Sequence, residues 1–213
     1  MAKGLLFAAF DYAPAQEDEF HDWYDLEHVP ERLRVPGFLN ARRWLSDEHP
    51  KVAVATYDLE SRAVLDSAPY QAIGYDNASI WTKRVTAIAT RLLRFDGEQI
   101  NPGDVVGPEA ANGLLAAAMN VDPVAEAEFN AWYDTEHLPQ LAAVPGVLAA
   151  CRYRAGGREA VEKRYLALYH LASVDVSRSA AWAKAANTPW TEKMRPRFRD
   201  PLVLRCRKYM RRT

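Results

Sequence analysis

Two histidines, His28 and His137, hold the same place in two versions of one segment. Phe20-His21-Asp22-Trp23-Tyr24-Asp25-Leu26-Glu27-His28-Val29-Pro30 returns in altered form as Phe129-Asn130-Ala131-Trp132-Tyr133-Asp134-Thr135-Glu136-His137-Leu138-Pro139. Imidazole changes charge nearer neutral pH than any other side chain, so a recurring histidine is the first candidate for moving protons. Read as a helix, the segment puts His28 on one surface with Tyr24 and Asp25, and His137 with Tyr133 and Asp134. A carboxylate beside an imidazole fixes its tautomer and raises its basicity, and a phenol could donate a proton or hold an oxyanion. The candidate catalytic set is therefore His28, Tyr24 and Asp25, with His137, Tyr133 and Asp134 as its counterpart. Only one set need act, since a copied segment keeps its scaffold whether or not it keeps a task. A structural explanation competes: a histidine at a helix end that bonds a free carbonyl and holds the turn into the proline.

Trp23, Trp132, Phe20 and Phe129 stand at helical spacing and fit the role of core anchors. Glu27 and Glu136 are either buried acids or partners for Arg43 and Arg152, and the ion pair is the favoured reading because it would repeat in both halves. Candidates for substrate contact lie on predicted strands. Asn40, Arg42 and Trp44 alternate onto one face of residues 38–45, where the second copy has Ala149, Cys151 and Tyr153. Asn40 and Arg42 could hold a carboxylate or enolate, although a hairpin charge reaching solvent explains Arg42 as readily. Tyr57-Asp58 matches Tyr169-His170, which adds Tyr57 and His170 to the candidate binding residues; a cross-strand polar pair accounts for Asp58 and His170 as cheaply. His21, Asp25 and His28 could line one helix face as metal ligands, but the second copy has Asn130 for His21, and no metal site is assigned. The chain has no dinucleotide fingerprint, phosphate loop or nucleophile elbow, which argues against nucleotide cofactors and acyl-enzyme chemistry.

These residues need elements to position them, and the repeat supplies two sets. It continues through Val35-Pro36-Gly37 and Val144-Pro145-Gly146, then Ala41 and Arg43 against Ala150 and Arg152, at the offset that sets Phe20 on Phe129. Such self-similarity in rare residue types points to duplication. The predicted modules are residues 1–100 and 111–213, joined by a linker at 101–110. In the first, strands are predicted at 4–12, 38–45, 51–59 and 86–95, with helices from 17 and at 61–75. In the second, strands at 113–121, 147–154, 164–171 and 201–209 accompany helices from 123 and at 177–186. Each module thus reads β-α-β-β-α-β, a ferredoxin-like α+β arrangement with helices on one sheet face only. The bare faces of the two sheets are expected to bury each other in a barrel-like core.

With 49% hydrophobic and 26% charged residues the chain can bury a sizeable core. Lys plus Arg number 27 against 28 for Asp plus Glu, which gives no reason to expect nucleic acid. The basic residues near the end (Lys193, Arg195, Arg197, Arg199, Arg205, Arg207, Lys208, Arg211, Arg212) read as an edge strand with solvated charges and a tail. Only Cys151 and Cys206 occur, outside any metal-like pair, and the apolar start is too short for a secretory signal or a membrane span. A cytoplasmic protein with no membrane partner is expected.

The Trp-Tyr-Asp-x-Glu-His-x-Pro segment, followed by Val-Pro-Gly and an Ala-x-Arg strand, resembles the dimeric α+β barrel superfamily, and within it the EthD-like proteins, here as a tandem fusion. The resemblance spans both halves. It implies an intrachain dimeric α+β barrel, two ferredoxin-like modules packed sheet to sheet, with an apolar and aromatic cleft between each sheet and its first helix. Relatives with that fold include cofactor-free lyases, cyclases and isomerases, monooxygenases, haem-binding enzymes and proteins of no known activity, and fold alone does not choose among them. The expectation is a cofactor-independent enzyme that uses histidine acid/base chemistry on an apolar, aromatic or polyketide-like small molecule, of lyase, isomerase or cyclase type. The alternatives are a non-catalytic ligand-binding accessory protein and a haem-dependent or cofactor-free monooxygenase, with His170 as the axial residue to consider for haem. Further association into a homodimer is left open.

Overall fold

Strand β1 (Gly4–Asp11) is apolar on both of its faces. Leu5, Phe7 and Ala9 enter one buried cluster, while Leu6 and Phe10 enter another. A strand with a core on each side reads as a continuous apolar run, not as an alternating one. The computed structural model describes residues 1–156 and 162–211. After β1 come helix α1 (Glu17–Asp22), a π-helical stretch (Trp23–His28) and α2 (Val29–Leu33). Strands β2 (Arg42–Ser46) and β3 (Val52–Leu59), helices α3 (Ala68–Gln71) and α4 (Ile80–Ile88), and strand β4 (Thr90–Asn101) complete the first module. The second module opens with β5 (Gly113–Val121), α5 (Glu126–Trp132), another π-helical stretch (Tyr133–His137) and α6 (Leu138–Ala142). It continues with β6 (Val147–Ala155), β7 (Tyr165–Leu171), α7 (Ala180–Ala186), α8 (Pro189–Met194) and β8 (Phe198–Lys208).

The strands form one closed barrel in the order β1-β3-β2-β8-β5-β7-β6-β4. Each module contributes a four-stranded antiparallel sheet, and the sheets join edge to edge: β2 pairs with β8, Trp44 opposite Lys208, and β4 with β6, Gly97 opposite Ala155. The faces expected to bury each other are therefore the inside of a single barrel. Closure also removes every open sheet edge, the usual site of unwanted strand pairing. Phe7 and Phe95 meet Leu114, Leu168 and Tyr153 in this interior, while the helices cover two separate outer clusters. At the β4–β6 seam a Cβ on Gly97 would lie 2.3 Å from the Arg154 carbonyl oxygen, so only glycine lets the edges approach. The repeated Val-Pro-Gly turn has a similar cause: Gly37 and Gly146 adopt φ of 95° and 90°, where a Cβ is strained.

Three expectations need correction. Residues 86–88 belong to α4 and not to the following strand. Ser79 caps that helix by accepting from Thr82 N–H at 2.9 Å, and Thr86 Oγ1 donates back to the Thr82 carbonyl at 2.7 Å. The strand predicted from residue 38 begins at Arg42, preceded only by an isolated bridge between Phe38 and Leu59. Strand β8 is paired on both sides, by β2 and β5, and is no edge. Its charges are ion-paired to the other module's hairpin loop, Arg205 to Glu48 and Arg207 to Asp47, each at 3.2 Å. Arg211 reaches Asp22 at 3.0 Å, and Arg212 lies outside the described residues. No helix among the described residues is long and apolar enough to cross a membrane.

Candidate active site

The π-helical stretch sets the geometry around His28. Widened turns of this kind carry i to i+5 hydrogen bonds, and here the Val29 N–H bonds the Tyr24 carbonyl. The His28 ring therefore lies against Trp23, centroids 4.4 Å apart, with Tyr24 edge-on at 5.3 Å. The second copy repeats this: His137 lies 4.2 Å from Trp132 and 5.1 Å from Tyr133.

Asp25 turns away from the imidazole. Arg43 donates to Asp25 Oδ1 at 2.6 Å and to His21 Nδ1 at 2.7 Å, and Tyr209 donates to Asp25 Oδ2 at 3.2 Å. The guanidinium is stacked between the rings of Tyr24 and Tyr209, at 4.5 and 4.1 Å. Arg152 makes the matching contacts, with Asn130 at 2.5 Å, Asp134 at 3.3 Å and the Tyr133 ring at 4.5 Å. The expected Asp–His pairs are thus not formed, because the backbone makes a wider turn than the α-helical spacing that would bring them together. The expected Glu27–Arg43 and Glu136–Arg152 pairs are replaced too. Glu27 accepts from Ser79 and Thr82, and Glu136 from Thr188, which ties each first helix to the N-terminus of the helix packed beside it. With Arg43 lodged between His21 and Asp25, that trio is not arranged for a metal ion.

His28 opens on a cavity of about 530 Å³ between the helices and the outer face of the β1–β3–β4 sheet, a size usual for a small-molecule site. Trp23, Tyr57 and Tyr70 supply its aromatic walls, and Arg32, Lys83, Arg91 and Arg94 its cationic ones. No carboxylate lines it among the described residues. The Tyr57 hydroxyl, Arg32 Nε and His28 Nδ1 are buried without a hydrogen-bond partner. Burial first, and then the charges of Arg32 and Arg43, hold His28 well below the ordinary imidazole value, so its ring is neutral at pH 7. Burial likewise pushes Tyr57 well above the usual phenol range and Tyr24 up to about 12.

The matching space in the second module holds about 170 Å³, and Arg195 is the one cation that lines it among the described residues. Register explains the difference. Ala8 faces Arg94 across β1–β4, and Ala117 faces Val203 across β5–β8. Leu141 follows His137 at the distance at which Arg32 follows His28, and Phe198 stands where the first module has Ala89. Two cations are replaced by aliphatic groups and a methyl by a phenyl ring, which fills the space. Burial, with the charge of Arg195, pushes His137 down to about 3.

The other predicted binding residues divide between two places. Tyr57 joins His28. Asn40, Arg42, Trp44 and His170 lie on the opposite face of the sheets, at one end of the barrel interior. There Asp58 Oδ2 accepts from Asn40 Nδ2 at 2.8 Å, Gly107 N–H at 3.0 Å and Arg42 at 3.3 Å, while Arg42 donates to the Gly107 carbonyl at 2.6 Å. Trp44 Nε1 donates to Thr56 at 3.0 Å, and its ring meets His170 at 6.3 Å. This group fastens the linker across the barrel end. His170 does not suit an axial role for haem: a Cβ on Gly107 would stand 2.6 Å from its Nε2, so linker backbone covers the face a metal would need. The sequence reading missed Arg32 and Arg94. Their replacement by Leu141 and Val203 in the other copy was the visible signal.

No protein-family model matches the chain, and no curated protein matches it in sequence. Solved structures do. An anthrone oxidase-like protein superposes with a TM-score of 0.65 at 10% identity, covering 99% of this chain and 92% of that one. A chlorite dismutase variant from Candidatus Nitrospira defluvii, in complex with cyanide, gives 0.61 at 12% identity over 98% and 91%. A candidate monooxygenase from Fusobacterium nucleatum subsp. nucleatum gives 0.60 at 10% identity over 97% and 92%. At such identities the likeness concerns architecture, and with the closed eight-stranded barrel it establishes the chain as a two-module dimeric α+β barrel.

Proposed function

We propose that the first-module cavity is the active site of a cofactor-independent enzyme acting on a small, largely aromatic compound by proton transfer. One observation carries the reading: His28 and Tyr57 line the same cavity, the imidazole neutral and the phenol without a protein partner. The neutral imidazole can accept a proton as negative charge developing on the substrate offsets the cations that depress it, and a phenol held protonated donates a hydrogen bond to the oxygen on which that charge develops. In this scheme His28 takes a proton from carbon or oxygen of the substrate and returns it elsewhere, which suits lyase, isomerase or cyclase chemistry. Tyr57 holds the resulting oxyanion. Trp23 and Tyr24 fix the imidazole plane, and Asp25 acts at one remove by holding Arg43. The second module, with its smaller cavity, serves as scaffold.

The test needs no knowledge of the natural substrate. Aromatic ketones with acidic α-hydrogens, such as 2-tetralone, are incubated with the protein in deuterated buffer and deuterium uptake is followed by mass spectrometry. Uptake above the buffer rate is expected, lost in His28→Ala and kept in His137→Ala. Equal loss in both variants, or no uptake with any such ketone, sinks the proposal. A cofactor-free oxygenase would start from the same deprotonation, a reading favoured by the anthrone oxidase-like neighbour. Oxygen consumption in the same assay separates the two, and absorbance in the haem region reports any bound porphyrin.

A further inference from the structure

We propose that the compound taken into the first-module cavity is an aromatic anion, a carboxylate by preference, with its charged oxygens held at the Arg32–Arg94 end. This rests on the reading of that cavity as a ligand site and names the class of ligand.

The cavity wall carries cations, and the carboxylates that hold its two arginines stand outside the lining. Arg32 is only 5% exposed. One of its nitrogens bonds Glu31 at 2.6 Å, while its Nε has no partner. A buried donor left unfilled costs stability, and a buried cation more so, unless something supplies the missing acceptor. Arg94 bonds Asp96 through one nitrogen at 2.8 Å, and its remaining partners are the neutral hydroxyls of Tyr75, at 3.3 Å, and Tyr70. Lys83 gives its ammonium to a neutral acceptor, the Asp76 carbonyl, at 2.7 Å. No carboxylate from the protein reaches the cavity wall among the described residues.

The two guanidinium groups belong to one end of the space. Arg32 lies over the Tyr70 ring at 5.8 Å and Arg94 over the Tyr75 ring at 5.4 Å. Those two rings meet edge to face at 6.2 Å. The charged end is thus a pair of arginines backed by a pair of tyrosines, and His28 and Trp23 line the same cavity. A planar ring with an acidic oxygen matches this layout: guanidinium forks suit carboxylates, and aromatic walls suit the ring. The second module is the internal control. Its small cavity has Leu141 and Val203 in place of Arg32 and Arg94 and keeps one cation, Arg195, where the first module has Thr86, so the arginine pair goes with the larger space and not with the fold.

The test is calorimetric titration of the whole chain with 2-naphthoate and with its neutral isostere 2-naphthamide. Naphthoate is expected to bind at least about tenfold more tightly than the amide. Arg32→Leu, which copies Leu141, should bring the acid down to the amide, while Arg32→Lys keeps part of the preference. Ala89→Phe, which copies Phe198, should lose both ligands while every cation stays, locating binding inside the cavity. Circular dichroism checks that each variant is folded. Equal binding of acid and amide by the native chain overturns the anion assignment and leaves the cavity as a ligand site. Binding of neither overturns both. An acid preference that survives Arg32→Leu, or binding that survives Ala89→Phe, places the anion elsewhere and also overturns the proposal.

Discussion

His28 lies against Trp23, five residues before it, with ring centroids 4.4 Å apart. An α-helix brings residues three or four apart together, so this contact belongs to the wider π turn, and the second copy keeps it between Trp132 and His137. The same turn sends Asp25 to Arg43 and leaves the imidazole neutral inside an aromatic wall.

The partnering of Asp25 can be checked by titration. Asp25→Asn should leave the His28 imidazole signal unmoved between about pH 8 and pH 5, because that carboxylate belongs to Arg43. Arg32→Leu should shift His28 upward, toward the ordinary value, because a nearby cation that disfavours its protonation is gone. Nuclear magnetic resonance of the histidine ring protons reads both. A large shift in Asp25→Asn would mean that the carboxylate faces the imidazole after all.

Arg43 and Arg152 fill matching places but should not count equally. The Asp25 side chain is 16% exposed, and losing Arg43 strands a half-buried carboxylate and His21. The Asp134 side chain is 47% exposed, so water can take over for Arg152. Arg43→Met is expected to cost about 3 kcal/mol. For Arg152→Met the loss is mainly the bond to Asn130 and the ring contacts, about 1–2 kcal/mol. Urea denaturation of the two variants measures the order, and a larger loss in Arg152→Met would contradict it.

Acid should weaken the fold from about pH 6.5 downward. His28 and His137 are held below the unfolded value of 6.5, His137 at about 3. Below about pH 6.5 the unfolded chain therefore binds protons that the folded chain refuses. The stability contributed is complete above that pH and is lost progressively as the pH falls. At about pH 5.5 each of the two costs about 1.4 kcal/mol. The urea midpoint should fall between about pH 7.5 and pH 5.5, and the double variant His28→Gln, His137→Gln should show a flatter profile.

Gly107 is a close-packing point. A Cβ there would stand 2.6 Å from His170 Nε2 and 2.9 Å from an Arg42 nitrogen already bound to Asp58. Gly107→Ala should destabilise by about 1–3 kcal/mol, in the range of other overpacked sites. Binding at the His28 cavity should survive, since the linker cluster lies on the other side of the sheet. A thermal melt and the naphthoate titration test the two halves of this statement.

Much of the architecture was legible. Strands that recur at one offset, and β1 with no polar face, already imply a sheet buried on both sides, and the barrel satisfies that. What escaped was local. Nothing in Trp23-Tyr24-Asp25-Leu26-Glu27-His28 marks a π turn, because the widening comes from backbone bonding and not from a residue type. Arg42 and Trp44 do alternate onto one face of β2, while Asn40 precedes the strand, and period two does not say which face is the barrel lumen. Arg32 and Arg94 were readable only by comparing the copies, since an arginine in a helix or a strand is ordinary until its counterpart is leucine or valine.

The edge-to-edge joining of unequal halves in one polypeptide has a consequence of its own. When two identical chains build such a barrel, every substitution lands twice, and a buried cation gained in one half burdens the other. Here Arg32 is present once. The tightly packed half can keep the barrel rigid while its sibling carries a cationic wall and open space, so firmness and chemistry need not be drawn from the same side chains.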